Sequence, residues 1–170
     1  TRRSSDLFIN GSPAFTVQIL KENDVVKIVL PDEQCSAVPR EIPHVETVYS
    51  DDDIAVINKP PFLPTHQSIG HYEDTLANYF AGVFPKCAFR AVTRLDKNTS
   101  GLCVIALNKL SAAIMCRNRP QKLYYAVCDG LTEARGTVDA PITRESDSVI
   151  KRVVRGDGQS AVTEYKALSR

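Results

Sequence analysis

Apolar residues in this chain gather into short runs bounded by turn-forming residues, with two stretches of helical spacing among them. Residues 45–49 and 54–58 read as two strands around an acidic turn, Asp51-Asp52-Asp53, which serves as a solvated hairpin tip. Residues 102–107 form an unbroken apolar run without alternation, the pattern of a strand covered on both faces in mid-sheet. Further strands are predicted over 123–128, 149–154 and 161–168. Leu76, Tyr79, Phe80 and Val83 recur at helical spacing, with Asp74 as N-cap and Pro85 just past the end. Leu110, Ile114 and Met115 do the same between an Asn108 cap and Pro120. Gly156-Asp157-Gly158 is a tight-turn signal that favours antiparallel pairing of the last two strands over a helical crossover. The predicted fold class is α/β in the α+β sense: a mixed, largely antiparallel sheet with flanking helices.

The first thirty residues stand apart. Leu7-Phe8-Ile9-Asn10 runs into Gly11-Ser12-Pro13, and residues 25–30 follow Glu22-Asn23-Asp24, which gives strand, turn and strand in a piece too short to own a core. Pro31, Pro39 and Pro43, with Asp32 and Glu33 between them, mark residues 31–44 as a linker, so the main domain is expected over 45–170.

Composition narrows the function classes. A chain of 170 residues, 43% hydrophobic and 24% charged, can bury a globular core. No apolar run approaches the roughly 18 residues of a membrane helix, and Thr1-Arg2-Arg3-Ser4-Ser5 is not followed by the apolar stretch of a signal peptide. The five cysteines are odd in number and never spaced C-x-x-C, so neither a disulfide framework nor a zinc site is suggested, and reduced thiols in a cytoplasmic or organellar compartment are expected. Cys103 and Cys128, each inside a predicted strand, read as small core hydrophobes. The net charge of +1 conceals an asymmetry: residues 1–89 carry 7 basic and 12 acidic side chains, residues 90–170 carry 14 and 8. Halves of −5 and +6 suit an anionic ligand lying against the C-terminal half, although a solvated surface produces such a split too.

Arg94-Leu95-Asp96-Lys97-Asn98-Thr99-Ser100-Gly101 is a dense polar loop that enters directly into the apolar run at Leu102. Two explanations fit. Structurally, Asp96, Asn98, Thr99 and Ser100 can satisfy backbone groups in a turn, and Gly101 can take a conformation closed to other residues. Functionally, a carboxylate anchored at a sheet edge two residues after a guanidinium can stay ionised and rigid as nucleophile or base. No G-x-S-x-G, G-x-x-x-x-G-K-[ST], G-x-G-x-x-G or H-E-x-x-H occurs, so the usual hydrolase and cofactor routes lack support.

The same loop resembles the R-L-D-x-x-T-S-G signature of the RluA-type pseudouridine synthases, and its surroundings resemble that family in order. Asp52 to Pro61 looks like its D-D-x-x-x-x-x-N-K-P segment, and Thr75-Leu76-Ala77-Asn78 like its T-L-x-N helix start. Lys122-Leu123-Tyr124-Tyr125-Ala126 looks like its K-x-Y-x-A strand, Asp139-Ala140-Pro141-Ile142 like its D-A-P-I turn, and Gly158 to Thr163 like its G-x-x-A-x-T stretch. The resemblance implies the pseudouridine synthase fold and an enzyme that isomerises uridine in ribosomal or transfer RNA. It makes Asp96 the catalytic aspartate, Arg94 the motif's substrate-binding arginine and Tyr124 the tyrosine that packs on the target base. No cofactor or metal, no membrane and a monomer are expected. Apart from the resemblance, Tyr124 reads as a core aromatic, and His66 and His71 as loop histidines without a role. Residues 1–30 resemble the last strands of the alpha-L RNA-binding module, with Ile9-Asn10-Gly11 and Asp24-Val25-Val26 as matching points; lacking its helices, they are not expected to bind RNA strongly.

Two departures from the pattern carry expectations. Thr93 stands where many relatives have histidine. The T-G-R-x-H-Q segment, whose arginine pairs with the catalytic carboxylate in the family, does not occur before Arg170. Without it Asp96 is expected to lack a neighbouring positive charge, the sheet to expose apolar surface, and the 170-residue chain to be poorly active or inactive. The alternatives are a catalytically silent RNA-binding relative and a protein-binding module sharing only the fold; the ordered run of matches disfavours the second.

Overall fold

A computed structural model describes residues 7–29, 34–118, 120–145 and 151–169. The chain divides into two compact units, Thr1–Gln121 and Lys122–Arg170.

The first unit holds two sheets. Strands β1 (Leu7–Ile9), β2 (Ser12–Pro13) and β3 (Val26–Ile28) form a small antiparallel sheet in the order β2-β1-β3. Asn10 closes it: its side chain donates to Asp24 Oδ1 at 2.8 Å and accepts from Val25 N at 2.9 Å. The strand-turn-strand predicted here is present, with the short β2 added. The stretch predicted as a linker has no regular element over residues 34–44, yet it packs on the domain. Ala37 is buried, and the Arg40 amide donates to Asn78 O at 3.0 Å.

Strands β4 (Glu46–Ser50), β5 (Ile54–Lys59), β6 (Arg90–Ala91) and β7 (Gly101–Ala106) form the larger sheet, antiparallel throughout in the order β4-β5-β7-β6. The acidic turn between β4 and β5 is built as predicted, because Asp51 Oδ1 accepts the amides of Asp53 and Ile54. Helix α1 (Leu76–Val83) starts one residue later than predicted: Thr75, not Asp74, is its N-cap, and Asn78 Oδ1 reaches back to the Thr75 amide at 3.1 Å. Helix α2 (Lys109–Arg117) has the predicted cap, Asn108, whose side chain accepts from Ser111 N at 2.9 Å. Its apolar residues Leu110 and Ile114 are exposed, however, and its buried residue is Ser111, which donates to Asp53 Oδ1 at 2.6 Å. A partly buried polar bond fixes α2 here, where an apolar face was expected.

The core joins Ile57, Cys103 and Ile105 from β5 and β7 to Leu76 and Phe80 from α1, with Leu63 and Leu95 added from loops. Burying each large side chain is worth roughly 1.5–3 kcal/mol, so this cluster is what holds helix to sheet. Its composition explains a correction. Although residues 102–107 are all apolar, β7 is covered unevenly: Cys103, Ile105 and Ala106 are fully buried while Leu102 is 59% exposed. Toward its start the strand is therefore covered on one face among the described residues, the face whose Cys103 joins the core with Leu76 and Phe80 of α1.

The second unit is a bent two-stranded ribbon. Strand β8 (Arg135–Asp139) pairs with β11 (Val162–Lys166), and β9 (Ile142–Arg144) pairs with β10 (Arg152–Val154), both antiparallel. The last two strands therefore do not pair with each other as predicted. Arg155 N donates to Pro141 O, and Ile142 bridges to Gln159, so the Gly156-Asp157-Gly158 turn is a kink within one side of the ribbon. Residues 149 and 150 of a predicted strand lie outside the described residues. The strand predicted over 123–128 does not form: Leu123, Tyr125 and Val127 are exposed, and among the described residues no strand offers it a ladder. Cys128 is accordingly exposed, not a core residue, whereas Cys103 is buried as predicted. No helix among the described residues is long and apolar enough to cross a membrane.

Candidate active site

The loop between β6 and β7 is held to the sheet from its first residue. Val92 N and Thr93 N donate to Val104 O at 2.8 and 3.3 Å, and the Thr93 hydroxyl accepts from Val104 N at 2.9 Å. Thr93, the position where histidine was noted as common, thus does backbone work. Leu95 follows in the core, and its carbonyl accepts from the buried Thr65 hydroxyl at 2.7 Å. Because side chains alternate along extended backbone, burying Leu95 turns Arg94 and Asp96 outward together, and both are exposed. The Thr99 amide donates to Asp96 O at 3.1 Å and closes a turn, after which Gly101 enters β7 at φ +125°. That backbone conformation is closed to L side chains, which accounts for the glycine. The Asp96 carboxylate makes no hydrogen bond or ion pair among the described residues, so it is free to meet a ligand.

Beneath this loop lies Lys59, the last residue of β5, paired in register with Gly101. Its side chain is fully buried. The ammonium donates to three backbone carbonyls: Leu63 at 2.8 Å, Pro60 at 3.0 Å and Lys97 at 3.2 Å. All three protons are spoken for, which is how a buried cation without an ion pair is tolerated. Burial holds its pKa below the ordinary lysine value, and attraction to Cys103 and Asp96 pulls it partly back. Asp96 therefore has a positive charge near it in Lys59, contrary to the expectation that it would lack one. Sequence reasoning gave Lys59 no role, although a signal was present: it falls in phase with Ala55 and Ile57, both fully buried, on the inward face of β5.

The loop from Pro60 to Asp74 borders the same region. His66 packs edge-on against Phe89, ring centroids 5.2 Å apart, and its pKa is lowered by burial and then by the Arg94 charge. Beside it lies a cavity of about 300 Å³ lined by His66, Gln67, Cys35, Ala77 and Phe89 among others; neither Arg94 nor Asp96 lines it. His71 stands between Asp74 and Lys97, with Nδ1 2.5 Å from Asp74 Oδ2 and Nε2 3.0 Å from Lys97 Nζ. Two basic residues, Arg94 and Lys97, lie on the loop itself on either side of Asp96, and both are exposed.

Arg94 and Asp96, singled out from the sequence, thus share one braced loop of the first unit. Tyr124 belongs to the second unit, where it is half-exposed on a segment without regular structure.

Residues 53–170 match a family described as RNA pseudouridylate synthase, and the chain belongs to that family. An uncharacterized RNA pseudouridine synthase of Bacillus subtilis is 36% identical over 94% of this chain and 60% of its own length. The ribosomal large subunit pseudouridine synthase D of Xanthomonas campestris is 35% identical over 99% of this chain and 53% of its own. The chain thus spans between half and two thirds of the length of these relatives. Among solved structures, the human RNA pseudouridylate synthase domain containing 1 protein shares the fold, with a TM-score of 0.51 and 22% identity over 74% of this chain and 53% of that one.

Proposed function

We propose that the protein is an RNA pseudouridine synthase with Asp96 as its catalytic carboxylate, Arg94 as a substrate-binding cation and Tyr124 as the aromatic that packs on the target base. The observation that carries this is the Asp96 loop: an exposed, unpaired carboxylate whose backbone is clamped from below by Lys59 and Thr65, in a chain of this family. Rigid backbone under a free carboxylate is what a nucleophile needs, since a near-attack geometry forms without an ordering cost at the moment of reaction.

In this scheme a uridine leaves its stack, at a cost of a few kcal/mol that the Tyr124 face partly repays. The Asp96 carboxylate attacks either the ribose or the uracil ring. The bond between ribose and ring N1 breaks, the ring turns, and C5 bonds to the ribose carbon as the carboxylate is released; C5 gives up its proton and N1 takes one up, so the product is an isomer and no cofactor or net oxidation is involved. The basic residues flanking Asp96 supply the field that draws the RNA backbone in. Ribosomal RNA is the first substrate to try, because the Xanthomonas relative is a ribosomal large subunit enzyme by name; transfer RNA is the second. Residues 1–30 are proposed as the remnant of an alpha-L type module.

The test is to incubate the full-length protein with ribosomal and transfer RNA and to map carbodiimide-reactive pseudouridine by primer extension. New stops at defined uridines are expected. Salt-sensitive RNA binding with no new stop in either RNA would identify a catalytically silent relative instead.

A further inference from the structure

We propose that His71 is a positioning residue that ties the Asp96 loop to the start of α1 through Lys97. The inference rests on the proposed role of Asp96, and its geometry stands independently of that role.

Lys97 is the neighbour of Asp96, and its ammonium can only donate. Its contact with His71 Nε2 at 3.0 Å therefore requires a lone pair on that nitrogen, which leaves Nδ1 as the donor of the ring. Its proton is directed at Asp74 Oδ2, 2.5 Å away. The three side chains form one chain of donors and acceptors, Lys97 to His71 to Asp74, in which each contact fixes the sense of the next.

The far end of this chain is held by several hydrogen bonds. Ser68 and His71 exchange two backbone hydrogen bonds, at 2.9 and 3.0 Å, around a turn in which Gly70 takes φ +81°. Gln67 Nε2 donates to Tyr72 O at 2.6 Å, so the two arms of the turn are laced together. Asp74 directly precedes Thr75, whose amide and hydroxyl are both held by Asn78 Oδ1 at the buried start of α1. His71 thus stands on backbone anchored to the core.

The near end needs such a support. Thr65 and Lys59 hold the carbonyls of Leu95 and Lys97 from the buried side. Nothing comparable among the described residues holds the exposed side except the Lys97 side chain. Asp96 lies between the two held carbonyls, and fixing Lys97 at both its carbonyl and its ammonium restrains rotation of the Asp96-Lys97 peptide. Among the described residues no hydrogen bond or ion pair joins His71 to Asp96, so it acts through Lys97.

A double-mutant cycle in the full-length protein tests this, read first by amide hydrogen exchange at Thr99, whose N–H closes the turn on Asp96 O at 3.1 Å. H71A and K97M are each expected to speed exchange at Thr99 about five-fold, the scale of an exposed charge-assisted contact, and the double variant no further than either single. H71Q should recover most of the protection, since its amide oxygen can accept from Lys97 and its NH₂ can donate to Asp74. In single-turnover isomerisation the same variants should lower the rate constant about as much while leaving the half-saturating RNA concentration within two-fold. Unchanged Thr99 exchange in both singles, or a double variant equal to their product, would overturn the tether. A wild-type protein without isomerase activity would refute the role of Asp96, and the exchange cycle would still decide for or against the tether.

Discussion

Replacing Lys59 by methionine removes the ammonium while keeping a side chain of similar length, so it asks what the buried charge does without opening a cavity. Three carbonyls lose a donor. The bond to Leu63 O is buried, and leaving that oxygen without a partner costs about 1–3 kcal/mol. The carbonyls of Pro60 and Lys97 are partly buried and can turn to water, at smaller cost. The variant recovers the desolvation penalty of the ammonium, which offsets part of the loss, and a net destabilisation of about 2 kcal/mol at neutral pH is expected. The pH dependence has a fixed sign. Burial depresses the Lys59 pKa below the ordinary value of about 10.4, so between the two values the unfolded chain binds more protons than the folded one. Wild-type protein therefore gains stability relative to K59M as the pH rises through that window and carries the full burial penalty below it. Urea unfolding of both proteins at pH 7 and pH 10 measures this, and groups such as Tyr49 that titrate in both cancel in the difference. A variant as stable as wild type at pH 7, or a gap that narrows toward pH 10, would refute the reasoning.

The remaining predictions concern the frame around Asp96. G101A should cost about 1–3 kcal/mol and lower the melting temperature by several degrees, because φ +125° is strained for alanine; its Cβ would meet Leu95 Cδ1 at an ordinary 3.8 Å, so sterics do not set the cost. T65V keeps the shape of the side chain but leaves Leu95 O unpaired in the core, and should destabilise by about 1–2 kcal/mol in urea unfolding. The Asp53 pKa is lowered by its hydrogen bonds from Ser111 and then Asn108, so its contribution is present above the ordinary carboxylate value and lost as the pH falls through the depressed one. D53N should accordingly flatten the acid limb of the stability profile, followed by circular dichroism from pH 6 to pH 2; an unchanged limb would show that the anchor of α2 does not depend on the charge.

Strands β4, β5 and β7 were legible because their apolar runs are short and their flanks are turns, and α1 because Leu76 and Phe80 recur on one face over a proline stop. Residues 123–128 were not, since an apolar segment with two tyrosines becomes a strand only beside a partner, and partners are a tertiary property. Strand β8 escaped notice for the converse reason: Arg135-Gly136-Thr137-Val138-Asp139 has no strand-like composition, and pairing with β11 alone makes it extended. In the site, Arg94 and Asp96 could be read as a motif on consecutive residues. Lys59 left only its phase with Ala55 and Ile57 on β5 as a signal, and Thr65 and His71 left none, because each acts on a loop some thirty residues away, through backbone carbonyls or a single lysine.

The central claim is that the Asp96 carboxylate performs the isomerisation, and D96N tests it most directly because the side chain is exposed and unpaired. Surface substitutions of that kind change stability by no more than about 0.5 kcal/mol, so a loss of activity cannot be laid to unfolding. Wild-type and D96N full-length protein would be given ribosomal RNA in single turnover, the RNA digested to nucleosides, and pseudouridine separated from uridine by chromatography. Pseudouridine from wild type, none from D96N and equal RNA binding by both are predicted; pseudouridine from D96N at the wild-type rate would contradict the account.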